Sequence, residues 1–271
     1  RGTSDMKSGL AALVVAAERY IRLGPPSTGL QVVLTTGEET GCDGASELAR
    51  RRAVAPSSAL LVAEPTGNRL MLGHKGALWL TAACQGATAH GSMPHLGVNA
   101  IYRLTHAIIA LEEFHFGTPP HARMGAPTLN VGTVEGGLNI NSVPDRAHAT
   151  VDIRTVAGQG HTALREELQR LLGPQVELSP LADLSPVWTE PGDPWAESVR
   201  RAGAVFTAEA CTTSYFTDAS ILQDVCGAVP TVICGPGEPE QAHVTDEYCV
   251  TDRIEQAVDI YLEALSRWTP P

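Results

Sequence analysis

The sequence has little positive charge. Its 19 Lys and Arg residues stand against 30 Asp and Glu residues, which gives a formal net charge of −11 over 271 residues. Binding to nucleic acid or to an acidic membrane surface uses a basic face, so this balance argues against both kinds of partner. Long apolar runs are also missing. The longest near-apolar stretch, Gly9 to Ala17, is about half of what a bilayer span requires.

Three further signals are missing. No charged and then apolar leader opens the chain, so nothing indicates export and the expectation is a cytoplasmic protein. None of the six cysteines forms a C-x-x-C pair, which argues against a thiolate zinc site and leaves free thiols as the expectation. No G-x-G-x-x-G or Walker-type loop follows a predicted strand, which argues against a nucleotide-binding α/β protein.

The apolar pattern of the first 75 residues predicts α/β structure. Apolar side chains at helical spacing predict one helix over residues 5–23 and a shorter one over 44–52. The apolar, β-branched runs at 30–35 and 59–63 predict two buried strands. Helices alternating with buried strands are typical of a mixed, mainly parallel sheet covered on both faces.

The pattern changes near Gly76. Residues 76–184 predict elements in the order β-α-β-β-α-β, which is the order of a ferredoxin-like α+β sandwich. A Pro-rich link at 185–194 then leads back to an α/β pattern. We therefore expect one α/β domain formed by residues 1–75 and 185–271, with a ferredoxin-like α+β domain inserted at 76–184.

Acidic residues and a histidine follow the predicted buried strands. Glu38 and Glu39 come after the first, Glu64 after the second, and His243 after the strand near residue 232. Because ligands of open α/β sheets bind beyond the carboxyl ends of the strands, we expect these side chains to converge. Asp5 joins them at the start of the first helix, where free N–H groups favour an anion. Simple helix capping stays open as an alternative reading, above all for Asp5.

A group of four such residues resembles a metal donor set. Asp5, Glu39, Glu64 and His243 together offer oxygen and nitrogen donors, which suit Zn, Mn or Co better than soft ions. Two cations about 3.5–4 Å apart would share a bridging carboxylate and need about five protein donors. The set is one donor short, so a missing ligand is itself expected. Glu38 is left over, and a free carboxylate beside an activated water is what a general base requires.

The sequence resembles the di-zinc deacylases and exopeptidases that include acetylornithine deacetylase, succinyl-diaminopimelate desuccinylase, aminoacylase and carboxypeptidase G. The resemblance covers essentially the whole chain in family order. Its stretches are RGTSDMKSG at 1–9, TTGEETGCDGA at 35–45, AEPTGN at 63–68, GATAHGSMPHLGVNAI at 86–101, EGGLNINSVPDRAHATVDIR at 135–154, YFTDASIL at 215–222 and GPGEPEQAHVTDEY at 235–248.

The resemblance assigns roles to the clustered residues. It implies that Asp5 bridges two metal ions, and that Glu39, Glu64 and His243 are further ligands. It also implies that Glu38 is the catalytic base. The family has an earlier strand with a His-x-Asp motif whose histidine is the fifth ligand. No such stretch precedes Arg1, so the expectation is a fragment, or a chain numbered from the middle of a longer protein.

The inserted domain carries a second set of expected site residues. The resemblance implies that His90 reaches across a homodimer and polarises the scissile carbonyl in the site of the other copy. It further implies that Asn141, Arg154 and Thr217 bind the substrate, and an arginine suits a carboxylate because it can grip both oxygens. A surface histidine and a solvated arginine stay open as the structural alternatives.

The activity that the resemblance implies is metal-dependent hydrolysis of the amide bond of N-acyl amino acids. It implies two divalent ions, with Zn favoured and Co or Mn possible. The α/β domain would then be catalytic, and the inserted domain would be a lid and dimerisation domain. Two alternatives stay open: a zinc exopeptidase that acts on dipeptides, and a non-catalytic binding or assembly module that has lost its metal site.

Overall fold

In a computed structural model, which describes residues 1–24 and 28–270, the chain forms two compact units. The first unit joins residues 1–75 to 186–271, and the second unit is residues 76–185. Within the described residues, no helix combines the length and the apolar character that a bilayer crossing needs. All six cysteines are free thiols.

The elements are numbered along the chain. The helices are α1 (Ser8–Arg22), α2 (Asp43–Arg51), α3 (Ala100–Glu112), α4 (His161–Leu172), α5 (Pro194–Arg201), α6 (Ala219–Val225) and α7 (Thr251–Arg267). The strands are β1 (Leu60–Val62), β2 (Gly73–His74), β3 (Gly76–Gln85), β4 (Thr128–Gly136), β5 (Arg146–Thr155), β6 (Val176–Leu184), β7 (Val187–Trp188), β8 (Thr212–Thr213) and β9 (Thr231–Ile233).

The first unit is built on short strands with helices packed around them. Strands β1 and β9 pair in parallel, and β2 pairs with β7 in antiparallel and with β8 in parallel orientation. Helix α1 packs against α7, and apolar side chains of both helices join Val232 in one buried core. Because β1 and β9 are parallel, both end at the same edge. This edge carries Glu64 and the loop that begins at Gly235.

The strand predicted at residues 30–35 is wrong. Within the described residues this segment pairs with no other strand. Its alternate side chains Leu30, Val32 and Leu34 are 36%, 41% and 55% exposed. The apolar, β-branched pattern predicts burial in a sheet, but a strand also needs a neighbouring strand for its backbone hydrogen bonds, and none of the strands in the described residues lies beside this segment.

The second unit is an antiparallel sheet with two helices. Its strand order is β4-β5-β3-β6, and its elements follow one another as β-α-β-β-α-β. Helix α3 begins after Asn99, whose side chain accepts hydrogen bonds from the N–H groups of Ile101 and Tyr102. The buried faces of α3, α4 and the sheet form a separate core. Strand β4 lies at one edge of the sheet, and most of its residues are exposed.

Candidate metal centre

Two glycines bring three segments of the first unit into backbone contact. A Cβ atom on Gly9, in the first turn of α1, would lie 2.1 Å from the carbonyl oxygen of Ala63. A Cβ atom on Gly237 would lie 2.1 Å from the carbonyl oxygen of Ser4. Only glycine permits such close approaches. The turn before α1, the end of β1 and the loop after β9 are therefore held together.

Three side chains from these segments and the loop after residue 35 meet at one point. Asp5, Glu39 and His243 each offer a donor atom, and these atoms all lie within 4.8 Å of one another. The Nε2 atom of His243 is 3.3 Å from Asp5 Oδ2 and 3.4 Å from Glu39 Oε2. Within the described residues, neither carboxylate forms an ion pair with a lysine or arginine. One imidazole thus faces two carboxylates.

Glu64 lies beside this cluster and is buried. Burial raises the pKa of its carboxyl group well above the ordinary value, and the charges of Glu38, Asp5 and Asp218 raise that pKa further. Glu64 and Asp5 are close enough that each carboxyl group affects the pKa of the other. Burial also raises the pKa of Asp5, which His243 partly offsets. The group therefore holds more negative charge than its surroundings can stabilise.

Glu38 is close to the same carboxylates but is not one of the three converging donors. Burial, followed by the charges of Asp218, Asp5 and Glu39, raises the pKa of Glu38 to about 8. A carboxyl group with a pKa near neutrality can both accept and release a proton at neutral pH. The geometry thus separates a converging group of donors from a neighbouring carboxyl group suited to proton transfer.

The donor set fits a divalent cation. Carboxylate oxygens and an imidazole nitrogen are the donors that zinc and similar ions take in proteins. A cation would also neutralise the excess of carboxylates, whose mutual repulsion destabilises the metal-free site. The residues that would hold it are Asp5, Glu39, His243 and the adjacent Glu64.

The sequence pattern did not single out three further side chains at this site. Asp218 is buried, accepts a hydrogen bond from Thr35 Oγ1, and acts electrostatically on Glu38 and Glu64. Tyr215 donates its hydroxyl hydrogen bond to the carbonyl oxygen of Pro65 at 3.0 Å. Glu247 accepts backbone hydrogen bonds from the turn that carries Asp5. Asp218 and Tyr215 lie in the YFTDASIL stretch, and Glu247 in the stretch that holds His243, so proximity to these motifs was the available signal.

Thr217 has a structural contact. The residue is fully buried, and its hydroxyl oxygen accepts a hydrogen bond from the N–H of Ala219 at 3.1 Å, at the start of α6. Such an interaction satisfies a free donor of the first helical turn. A substrate contact of Thr217 stays a prediction.

The second unit brings His90 and Asn141 together. His90 forms an antiparallel bridge with Ser142, and the N–H of Gly91 donates to the carbonyl oxygen of Asn141 at 2.7 Å. His90 is exposed. Its Nδ1 atom accepts a hydrogen bond from the N–H of Ser92 at 3.2 Å, so Nε2 is the ring nitrogen left to donate to another group.

Arg154 lies elsewhere in the second unit, on β5. Its Nε and Nη2 atoms donate to Asp152 Oδ2 at 3.2 and 3.1 Å. Its guanidinium group also lies 5.9 Å from the ring centroid of Trp79, within reach of a cation–π interaction. These contacts fix the orientation of Arg154 on the sheet. Binding of a substrate carboxylate by this residue stays a prediction.

Comparison with known proteins places these features in context. Residues 72–177 match the family described as the Peptidase dimerisation domain, designated M20. An acetylornithine deacetylase from Vibrio cholerae serotype O1 is 31% identical over 98% of this chain and 72% of the relative. A probable succinyl-diaminopimelate desuccinylase from Staphylococcus epidermidis is 28% identical over 99% of this chain and 75% of the relative.

The same fold occurs among solved structures. An M20 family metallo-carboxypeptidase from Sulfolobus solfataricus superposes with a TM-score of 0.76 at 18% identity, covering 98% of this chain and 76% of that protein. At that identity the likeness concerns the fold. It confirms the expected α/β class with its inserted domain.

Proposed function

This chain belongs to the M20 family of metallopeptidases and related deacylases, and on that premise we propose that it hydrolyses the amide bond of N-acyl amino acids. It is a metal-dependent hydrolase, as its named relatives are. The observation that carries the proposal is the convergence of Asp5, Glu39 and His243 within 4.8 Å, beside the buried Glu64. The deacetylase and desuccinylase relatives support an N-acyl amino acid as the substrate.

In this proposal Asp5, Glu39, Glu64 and His243 supply four of the roughly five protein donors that two divalent ions need, with zinc best suited to the donors. Bound divalent ions would acidify a water molecule and polarise the acyl carbonyl. Glu38 accepts the proton of the attacking water and returns it to the nitrogen of the leaving amine. The raised pKa of Glu38, about 8, supports this role because the group can hold that proton between the two steps.

The test combines metal analysis with a substrate panel. The purified protein, loaded with Zn²⁺ and dialysed, should retain about two equivalents of metal and hydrolyse N-acetyl or N-succinyl amino acids. Chelation should remove both the metal and the activity. A protein that retains no metal under any loading condition would contradict the proposal. A single retained equivalent would keep the site and correct the number of ions.

A zinc exopeptidase is the second candidate. It is favoured by the match of residues 72–177 to a peptidase family. The same groups would act on a peptide bond, because a dipeptide is also an N-acyl amino acid in which the acyl group carries an amine. Comparing kcat/KM for N-acetyl amino acids with that for dipeptides of the same C-terminal residue separates the two candidates.

We further propose that the protein is a cytoplasmic homodimer that assembles through its second unit. All but the first four residues of the family match lie in this unit, and edge strand β4 is mostly exposed. Exposed apolar side chains lie nearby on the same unit, including Val134 on β4 and Ile109 on α3. Six free thiols are typical of a reducing compartment.

In this dimer, His90 of one copy would donate its Nε2–H to the developing oxyanion in the site of the other copy, where Asn141 and Arg154 contribute to substrate binding. Removing a hydrogen-bond donor in that role typically lowers kcat about 10²–10³-fold.

Mixing H90A protein with E38Q protein tests whether His90 of one copy completes the site of the other copy. Random mixing should restore about a quarter of the wild-type rate, because half of the dimers are mixed and each has one complete site. No recovery after subunit exchange would place His90 in its own copy's site or outside catalysis.

A further inference from the structure

Glu247 is a buried carboxylate that accepts three backbone hydrogen bonds from one turn. Its Oε2 atom accepts from the N–H of Gly2 at 2.7 Å. Its Oε1 atom accepts from the N–H groups of Ser4 at 2.6 Å and Asp5 at 2.8 Å. The side chain is fully buried, and the guanidinium group of Arg1 lies 3.8 Å away.

The turn held in this way carries Asp5. Further contacts come from the same loop as Glu247: the hydroxyl of Ser4 donates to the carbonyl oxygen of Glu238 at 3.0 Å, and Gly237 lies against the backbone of Ser4. Glu247 follows His243 by four residues. A single loop therefore supplies one of the converging donors and fixes the backbone beneath another.

We propose that Glu247 is a positioning residue that sets the distance between the Asp5 carboxylate and the His243 imidazole. The inference rests on the proposed function, in which Asp5 and His243 bind metal and the distance between them therefore affects metal affinity. A charged acceptor forms stronger and shorter hydrogen bonds than a neutral one, so three such bonds restrain the Asp5 backbone tightly. Groups that orient metal ligands typically change metal affinity about 10–100-fold when removed.

A purely structural clamp would act differently. It would lower the stability of the first unit without changing the affinity of the folded protein for metal. Substitution of a positioning residue weakens metal binding by protein that remains folded. The loss of metal affinity should then increase together with the mobility of the Asp5 backbone. Both quantities can be measured on the same variants.

The experiment compares E247A and E247Q with wild type and with the control D246N. Asp246 is the adjacent carboxylate, is exposed, and has a positive φ of 59° that asparagine tolerates. Amide hydrogen exchange of Ser4 and Asp5 is measured in metal-free protein, and the dissociation constant for Zn²⁺ is measured by competition with a chelating dye. The circular dichroism spectrum monitors the fold.

E247A should exchange the amides of Ser4 and Asp5 at least about tenfold faster and bind Zn²⁺ about 10–100-fold more weakly, with an unchanged circular dichroism spectrum. E247Q should lie between E247A and wild type, because its amide oxygen can still accept from Ser4 and Asp5 while the contact with Gly2 is lost. D246N should match wild type. If E247A does not fold, the ranking of E247Q against D246N decides the question.

Two results would overturn the inference: wild-type Zn²⁺ affinity in the E247 variants, or weaker Zn²⁺ binding without faster exchange of Ser4 and Asp5. Failure of the proposed function has a different signature. In that case wild type and D246N would bind no metal or hydrolyse no acyl amino acid, while the exchange data would still report whether Glu247 holds the turn.

Discussion

Each of the two units contains a histidine in contact with carboxylate side chains or a single carboxylate, and the two groups differ in how fully their charges are balanced. In the second unit, His161 connects two partners: Nδ1 lies 2.6 Å from Asp183 Oδ1, and Nε2 lies 2.7 Å from the hydroxyl of Thr155. Arg165 lies 3.6 Å from the other oxygen of Asp183. Each polar group of this network has a partner within the protein.

The cluster of the first unit lacks that balance. Glu38, Glu39, Asp5 and Glu64 lie together with one imidazole, and the pKa values of Glu38, Asp5 and Glu64 are raised by burial and by their mutual charges. Carboxylates and a histidine thus form a network with every polar group paired in the second unit, and a cluster with an excess of negative charge in the first unit. The difference indicates a structural role for the His161 network of the second unit. It indicates a ligand-dependent role for the acidic cluster of the first unit.

The largest expected effect comes from Glu38. E38Q should lower kcat about 10³-fold, because the amide cannot accept the proton of the attacking water. Metal content should stay at the wild-type level, since Glu38 is not one of the converging donors. Steady-state kinetics with the best N-acyl substrate and metal analysis check both parts. Retention of most of the activity would remove Glu38 from its role as the base.

Metal should stabilise the first unit. At a Zn²⁺ concentration about 100 times the dissociation constant, the free energy of unfolding should rise by about 2.7 kcal/mol. The stabilisation should vanish in H243A, which loses a donor, but persist in D183A, which alters only the satisfied network. Thermal unfolding with and without Zn²⁺ gives both values. An equal gain in H243A would place the metal elsewhere.

Much of this organisation could be predicted from the sequence. Helical and strand periodicity located most elements of both units. The expected convergence of Asp5, Glu39 and His243 also occurs, although the strand predicted before Glu39 is wrong and Asp5 was expected at a helix start. The structure brings these three together, and their role as ligands stays a prediction. Each of these inferences used a local pattern.

The features that the sequence did not predict depend on distant contacts. The segment at 30–35 has a strand-like pattern, but whether it joins a sheet depends on a neighbouring strand. Glu247 acts on a turn more than 240 positions away in the chain, and Asp218 acts on Glu38 from another element. A lone carboxylate in a sequence gives no sign of which backbone N–H groups it will meet.

The satisfied network can be broken directly. D183A should remove the partner of His161 and lower the free energy of unfolding by about 1–3 kcal/mol, because a buried imidazole N–H would lose its acceptor. The exposed D145A in the same unit is the matched control and should change stability by less than about 0.5 kcal/mol. Urea unfolding measures both. Metal content and kcat should be unaffected in D183A, and a loss of either would connect this network to the site.

The smallest expected effect is the change in the free energy of unfolding per pH unit, and its direction follows from the sign of the pKa shifts. The folded protein raises the pKa of Glu38 from 4.5 to about 8 and also raises those of Asp5 and Glu64, so the metal-free folded state binds more protons than the unfolded chain. Stability is therefore full below about pH 4.5 for this contribution and is lost as the pH rises through 8. Each excess proton lowers the free energy of unfolding by up to about 1.4 kcal/mol per pH unit in that window.

Urea unfolding of metal-free protein should show this decrease in the free energy of unfolding between pH 6 and 8. In E38Q the decrease per pH unit should be smaller by the contribution of about one proton. An equal slope in wild type and E38Q would show that Glu38 titrates normally, and the contrast between the two clusters would then rest on Asp5 and Glu64 alone.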